Sequence, residues 1–342
     1  MGLKSYTFVD YATQIYSMVV ALLILCFHNH TVPHWTWLVA AHLLGLGLVH
    51  ALIVAAAPRS RPASHSSLCT PHSYQLLDFF RHFYPVLLYI WFFAETGWLN
   101  RMFFQEYMDP LVIGWDQALF GFQPGVEFMH RLPYLILSEV FYAAYFSYYL
   151  MIGGVGIALF VRNRQQFFHY VSVISFVFYI CYLIYIALPV IGPRVFFHEI
   201  PGYALPEAVQ QLASTAVYPD TVKAGMFFRL MAWIYRVFEA PGSAIPSSHV
   251  AIALCTVYFS FRYLRPIRYI HLVMAILLCL ATVYCRYHYA VDVLTGVLTA
   301  ALLLPLGNRL YFRFRKPHLE SAARQPLAAS TSRCPEGTAT PG

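Results

Sequence analysis

Charge is scarce in this sequence. Only 11% of its 342 residues are Asp, Glu, Lys or Arg, where a soluble domain carries about 25%. With 59% hydrophobic residues and a mean hydropathy of +0.58, that scarcity excludes an ordinary soluble enzyme, a disordered chain and a nucleic-acid-binding module. The net charge of +7 does not point to nucleic acid, because the basic residues sit between apolar runs. That placement is how a polytopic membrane protein sets its orientation. No Cys-x-x-Cys occurs, and the seven cysteines are odd in number and lie mostly inside apolar stretches. Neither a disulfide framework nor a metal site is expected. Tyr6 stands where N-myristoylation wants Ser or Thr. The first apolar run ends at His28-Asn29-His30 with no small-residue cleavage site, so a retained span is expected there, not a signal peptide.

Long apolar runs dominate what is present. A spanning helix needs about 20 mostly apolar residues. Candidates lie at roughly 11–28, 35–57, 83–100, 134–160, 167–191, 248–263, 267–285 and 288–310, the sixth and seventh being short. The expected fold is all-α, a polytopic transmembrane helical bundle of about eight spans. Threading them with the N-terminus inside puts 15 Lys and Arg inside and 7 outside. The short loops holding Arg162, Arg164, Arg262, Arg265 and Arg268 are all inside, and short loops carry this rule best. Both termini are therefore expected in the cytoplasm, with the long mixed segments 101–132 and 193–246 outside. Three regions are expected: an N-terminal hairpin and polar loop (1–74), a catalytic membrane domain (75–312) and a disordered tail (313–342). Within 101–132, Asp109-Pro110 reads as an N-cap with proline at the first helical position, and Gly121 as a stop. The stripe Leu111, Val112, Trp115, Leu119 and Phe120 suits a short helix in the membrane interface or packed on the bundle.

Two of the 15 histidines stand out by context. His249 follows Pro246-Ser247-Ser248 at the start of one span, and His288 is followed four residues later by Asp292, on the same helical face. The intervening hairpin runs in and back, so the histidines meet at one depth, at the outer end of their spans. A histidine oriented by a carboxylate can attack phosphorus, and a second can protonate the leaving oxygen. Ser247, Ser248 and the N–H groups at the start of a helix suit phosphate oxygens. Arg194, in Gly192-Pro193-Arg194, suits a bidentate phosphate clamp. Glu139, inside the fourth span, is expected to face the bundle and make a structural hydrogen bond. His28, His30 and His34 show no regular ligand spacing, and the many Tyr and Phe residues read as core and interface belts.

These residues resemble the type 2 phosphatidic acid phosphatase (PAP2) superfamily. Its second motif, Pro-Ser-Gly-His, reads Pro246-Ser247-Ser248-His249 here, and its third, Ser-Arg…His…Asp, ends in His288 and Asp292. The resemblance covers roughly residues 75–310. It implies that His288 is the nucleophile, Asp292 its partner, His249 the acid for the leaving group and Ser247 a phosphate-binding hydroxyl. Ser248 replaces the motif glycine, Ala281-Thr282 stand for Ser-Arg, and the first motif is reduced to Arg194 with no upstream lysine. Two basic phosphate ligands are missing, and Arg286 is a candidate replacement. The pattern is closest to the inositol phosphorylceramide synthase-like branch. The resemblance implies an integral membrane phosphotransferase that moves a phosphate-bearing headgroup between lipids through a phosphohistidine. A phosphatase acting on phosphatidic acid or a polyprenyl pyrophosphate is the first alternative, and a non-catalytic transporter or scaffold the second. The expected partners are a phospholipid or lipid phosphate and the membrane itself, a bacterial inner membrane or another cell membrane, with the site on its outer face. No cofactor and no nucleic acid are expected.

Overall fold

The computed structural model describes residues 5–57, 72–198, 200, 204–238 and 243–314. Among these, helices account for nearly all regular structure. They are α1 (Phe8–Phe27), α2 (Trp35–Ala55), α3 (His72–Leu99), α4 (Asp109–Phe120), α5 (Pro124–Arg131), α6 (Leu135–Arg162), α7 (Arg164–Ala187), α8 (Pro193–Phe196), α9 (Glu207–Thr215), α10 (Asp220–Lys223), α11 (Met226–Phe238), α12 (Ser248–Tyr263), α13 (Arg268–Tyr284) and α14 (Ala290–Phe314). All eight apolar runs form helices, and seven are long and apolar enough to cross a membrane. The protein is an integral membrane protein with an all-α polytopic bundle. The exception is α12, whose 16 residues rise only about 24 Å. It needs less apolar surface because α6, α7, α13 and α14 surround it. Its Ser and Thr side chains therefore meet protein instead of lipid.

Helix α7 is the most enclosed span, contacting α1, α3, α6, α12 and α14. Asn163 ends α6 and caps α7, its side-chain oxygen accepting from the N–H groups of Gln165 and Gln166. The N-terminal hairpin is attached by polar contacts. Asp10 of α1 accepts both Arg81 guanidinium nitrogens, at 3.0 and 2.6 Å, and the Tyr84 hydroxyl at 2.6 Å. His42 of α2 meets Glu95 of α3 at 3.1 Å, both fully buried. Polar pairs of this kind hold helices together where lipid removes the hydrophobic drive for association.

Two sequence expectations are corrected here. Helix α3 begins at His72, well before residue 83, so Arg81 forms a half-buried interhelical ion pair with Asp10 and is not a loop charge. The rest of the polar loop, 58–71, and the tail from 315 lie outside the described residues. Asp109 does not cap α4, whose cap position is Met108 and whose end is Gly121 at φ +76°. The stripe on α4 is also split: Val112 is buried, while Leu111, Trp115, Leu119 and Phe120 are exposed. It is the carboxylates, Asp109 and Asp116, that face inward and are buried.

Candidate active site

The chain leaves α13 through Arg286, held at φ +61°, which turns Tyr287 and His288 back so that both donate their N–H to the Thr282 carbonyl. A left-handed arginine is strained. Its side chain compensates by donating to the Gly125 and Ala216 carbonyls and lying over the Tyr218 ring. The start of α14 is satisfied by acids. Asp116 accepts from Ala290 and Val291 N–H at 3.0 and 2.8 Å, and Asp292 from Tyr289 N–H at 2.9 Å. Both charges complement the helix dipole.

Asp109 performs the matching task for the Arg194 loop. It accepts from Ile191 and Gly192 N–H, each at 2.9 Å, and from the Tyr289 hydroxyl at 2.9 Å. Gly192 adopts φ +87°, and a Cβ there would lie 2.8 Å from the Tyr287 carbonyl. Only glycine lets the Arg194 loop approach the His288 loop this closely. The N-terminus of α12 docks on the same centre: Ser247 N–H donates to the Asp292 carbonyl at 3.1 Å, and Ser248 N–H to the Tyr185 hydroxyl at 3.0 Å.

These anchors bring His288, Asp292, His249 and Arg194 together. His288 Nδ1 lies 3.4 Å from Asp292 Oδ2, and His288 Nε2 lies 3.4 Å from His249 Nδ1. Both contacts are at the long end of hydrogen-bond distance. His249, His288, Arg194, Tyr235, Tyr287, Ser243 and Phe93 border a cavity of about 40 Å³. A larger open groove along residues 103–111 touches none of these side chains.

Three expected site residues are placed elsewhere. Ser247 is fully buried and its hydroxyl caps α12 by accepting from Val250 N–H. Ser248 is buried, with its N–H on Tyr185. The Arg286 guanidinium donates through Nε and Nη1 to two carbonyls, its buried Nη2 has no hydrogen-bond partner, and the residue does not border the cavity. The helix start takes the Ser247 hydroxyl and the Ser248 N–H, and the strained turn takes two of the Arg286 nitrogens. Glu139 does make a structural bond, accepting from Met226 and Phe227 N–H at the start of α11. Sequence reasoning missed Asp109, Asp116, Tyr145 and Tyr235. A signal existed for the acids: two carboxylates seven residues apart share a helix face that would otherwise be apolar. Nothing separates the two tyrosines from 24 others.

Burial raises both acids of α4, and the N–H donors and the Tyr289 hydroxyl pull only partly back, leaving Asp109 at about 7 and Asp116 at about 6. The folded chain thus binds these protons more tightly than the unfolded chain, whose carboxyls titrate near 3.8. Their contribution to stability is full below about pH 4 and is lost as pH rises through 6 and 7. In detergent, the unfolding temperature should fall from pH 5 to 8. Asp109→Asn should flatten that slope, and should also lower stability by about 1–3 kcal/mol because its amide opposes a backbone donor. A slope unchanged in Asp109→Asn would show that Asp109 does not titrate in this range.

The fold and this centre define a polytopic membrane protein that holds a His–His–Asp relay beside one arginine at the end of its bundle. The chain belongs to the PAP2 superfamily, whose family model matches residues 110–306, more than half its length. It is also similar to an uncharacterized protein of Methanocaldococcus jannaschii, 29% identical over 82 residues, which cover 24% of this chain. The chain spans about a third of that relative's length, 34%. No solved structure matches. That superfamily consists generally of phosphatases and phosphotransferases.

Proposed function

We propose that the protein is a lipid phosphotransferase of the inositol phosphorylceramide synthase-like type, taking a phosphate-bearing headgroup from a glycerophospholipid to an alcohol on a second lipid. The observation that carries this reading is the relay Asp292–His288–His249 beside a single cation. With Asp292 accepting the Nδ1 proton, His288 keeps a lone pair on Nε2. Nε2 attacks the donor phosphorus and a P–N bond forms. The P–O bond to the diacylglycerol breaks, and His249 gives that oxygen its proton. The acceptor alcohol then loses its proton to His249 and attacks phosphorus, and the P–N bond breaks.

The charge count supports a diester donor. Phosphoryl transfer depends on neutralising the equatorial oxygens. Among the described residues bordering the cavity, Arg194 is the one Lys or Arg. Burial, followed by the charges of Arg194 and Arg286, lowers the pKa of nearby His198, so that ring adds no positive charge at neutral pH. A diester carries less charge than a monoester and needs fewer cations. The test is full-length protein in lipid nanodiscs with labelled phosphatidylinositol, with and without ceramide or diacylglycerol. A labelled product that depends on the acceptor is expected. Rapid release of inorganic phosphate from phosphatidic acid, with no transfer product, would leave the phosphatase.

The orientation belongs to the same proposal: both termini cytoplasmic and the histidines at the outer face. Reporter fusions at Asn163 and in the Arg265–Ile267 turn should report cytoplasm, and fusions within 101–132 and 205–235 the outside. An external Arg265–Ile267 turn would invert the site.

A further inference from the structure

Three tyrosine rings cluster between the cation and the acid of this site: Tyr235 and Tyr145 both stack on Tyr287, with their own ring centres 6.3 Å apart. The Arg194 guanidinium carbon lies 4.6 Å from the Tyr235 ring centre. Tyr235 stacks on Tyr287 at 4.5 Å and 15°, and Tyr287 on Tyr145 at 4.3 Å and 27°. Tyr145 lies 5.0 Å from the His249 ring. The members come from α8, α11, the α13–α14 link, α6 and α12, so no local sequence feature places them. Hydroxyls join the same rings: Tyr145 OH is 3.1 Å from His249 Nε2 and is hydrogen-bonded to Tyr235 OH. Tyr145 is fully buried, and its helix α6 also grips α11 through Glu139.

We propose that Tyr145 and Tyr235 are positioning residues, Tyr145 setting the tautomer of His249 and Tyr235 holding the plane of Arg194. The proposal rests on the reading of His249 and Arg194 as groups that act on a lipid phosphate. A neutral imidazole has one donor and one acceptor. When Tyr145 donates to Nε2, the His249 proton sits on Nδ1, the nitrogen that faces His288 Nε2 at 3.4 Å. Donation then runs one way, from Tyr235 to Tyr145, His249, His288 and Asp292, and each bond polarises the next. At the other end, a guanidinium stacked on a ring presents its N–H donors at its edge, in the plane that a bidentate phosphate contact uses. Tyr287 packs against both rings, and its ring centre is also 5.6 Å from the Arg194 guanidinium carbon. Arg194 and His249 thus face one cavity.

Substitutions separate hydroxyl from ring. Tyr145→Phe keeps the stack and removes the donor to His249. In the phosphatidylinositol transfer assay its kcat should fall about 10-fold or more, with KM within about 2-fold and the pH–rate profile displaced. Tyr235→Phe keeps the ring under Arg194, while Tyr235→Leu removes it. Orthovanadate, a mimic of the five-coordinate phosphorus, gives a readout independent of turnover by ⁵¹V NMR. Tyr235→Leu should weaken its binding about 10-fold, Tyr235→Phe far less, and circular dichroism should show the helices of both intact. Wild-type kcat and pH profile in Tyr145→Phe, or wild-type vanadate binding in Tyr235→Leu, would overturn the proposal while an inactive His288→Ala left the histidine reading standing. An active His288→Ala would overturn both.

Discussion

His288→Ala will form no acid-labile phosphohistidine and no transferred or hydrolysed lipid product, whichever lipid phosphate the wild-type protein uses. Its neighbours explain why no other side chain takes over. His288 borders the cavity with Nδ1 on Asp292, which leaves Nε2 for the attack, and the other imidazole there, His249, has Nε2 on Tyr145. His249→Ala removes the proton donor to the leaving oxygen, and turnover should fall by about 10²-fold or more. Asp292→Asn should preserve the fold. Asp292 Oδ2 accepts from both Tyr289 N–H and His288, while Oδ1 is buried without a hydrogen-bond partner. An asparagine can keep its oxygen in the first place and its NH₂ in the second, so the tautomer survives and the loss is one of charge. The anion that stabilises the positive imidazole as the P–N bond forms is gone. Labelled phosphate trapped on the protein by alkaline quench, and lost in acid, measures the first step. Trapping of label on His288→Ala would defeat the mechanism.

Gly296→Val should be nearly as damaging, although it touches neither histidine. Gly296 lies one turn beyond Asp292 on α14, where that helix crosses the start of α12. A Cβ there would sit 2.6 Å from the Ser247 carbonyl oxygen, 3.2 Å from Ser247 Cβ and 3.0 Å from Val250 Cβ. The first of these atoms is backbone and cannot rotate away. Relief requires α12 to withdraw from α14, which breaks the bond from Ser247 N–H to the Asp292 carbonyl and widens the gap between His249 and His288. A displacement near 1 Å in a catalytic group costs about 10²-fold in rate. Overpacking itself costs about 1–3 kcal/mol. Gly296→Ala should show a smaller loss of the same kind, and both variants should retain helical circular dichroism. Wild-type turnover in Gly296→Val would mean that the helix crossing does not set the histidine spacing.

Much of this architecture is legible in the residues. Apolar runs locate all eight long helices, because a backbone in lipid must satisfy its own hydrogen bonds and has only the helix to do so. The spacing of His288 and Asp292 on one helical face and the hairpin between His249 and His288 foretell the relay, since local geometry and helix length decide both. The start of α3 was not legible, because the polar stretch Asp78 to His82 reads as loop until Asp10 is seen to receive Arg81. Asp109 followed by proline has the form of an N-cap, and only the folded chain shows its carboxylate spent on Ile191, Gly192 and Tyr289 instead.

Sequence alone thus settled the membrane class and the helical spans, which follow from composition and from periodicity within single elements, and it paired the two histidines through the length of the hairpin between them. It could not settle what each polar group near those histidines is used for. Ser247, Ser248 and Arg286 carry the right chemistry for phosphate, yet the Ser247 hydroxyl caps α12, the Ser248 N–H goes to the Tyr185 hydroxyl, and Arg286 donates to the carbonyls of Gly125 in α5 and Ala216. Arg194, by contrast, reaches the cavity because Asp109 from α4 holds its loop and Tyr235 from α11 lies under its guanidinium. A buried polar group goes to whichever partner the packing brings within about 3 Å, and residues far apart in the chain meet only when the helices are assembled.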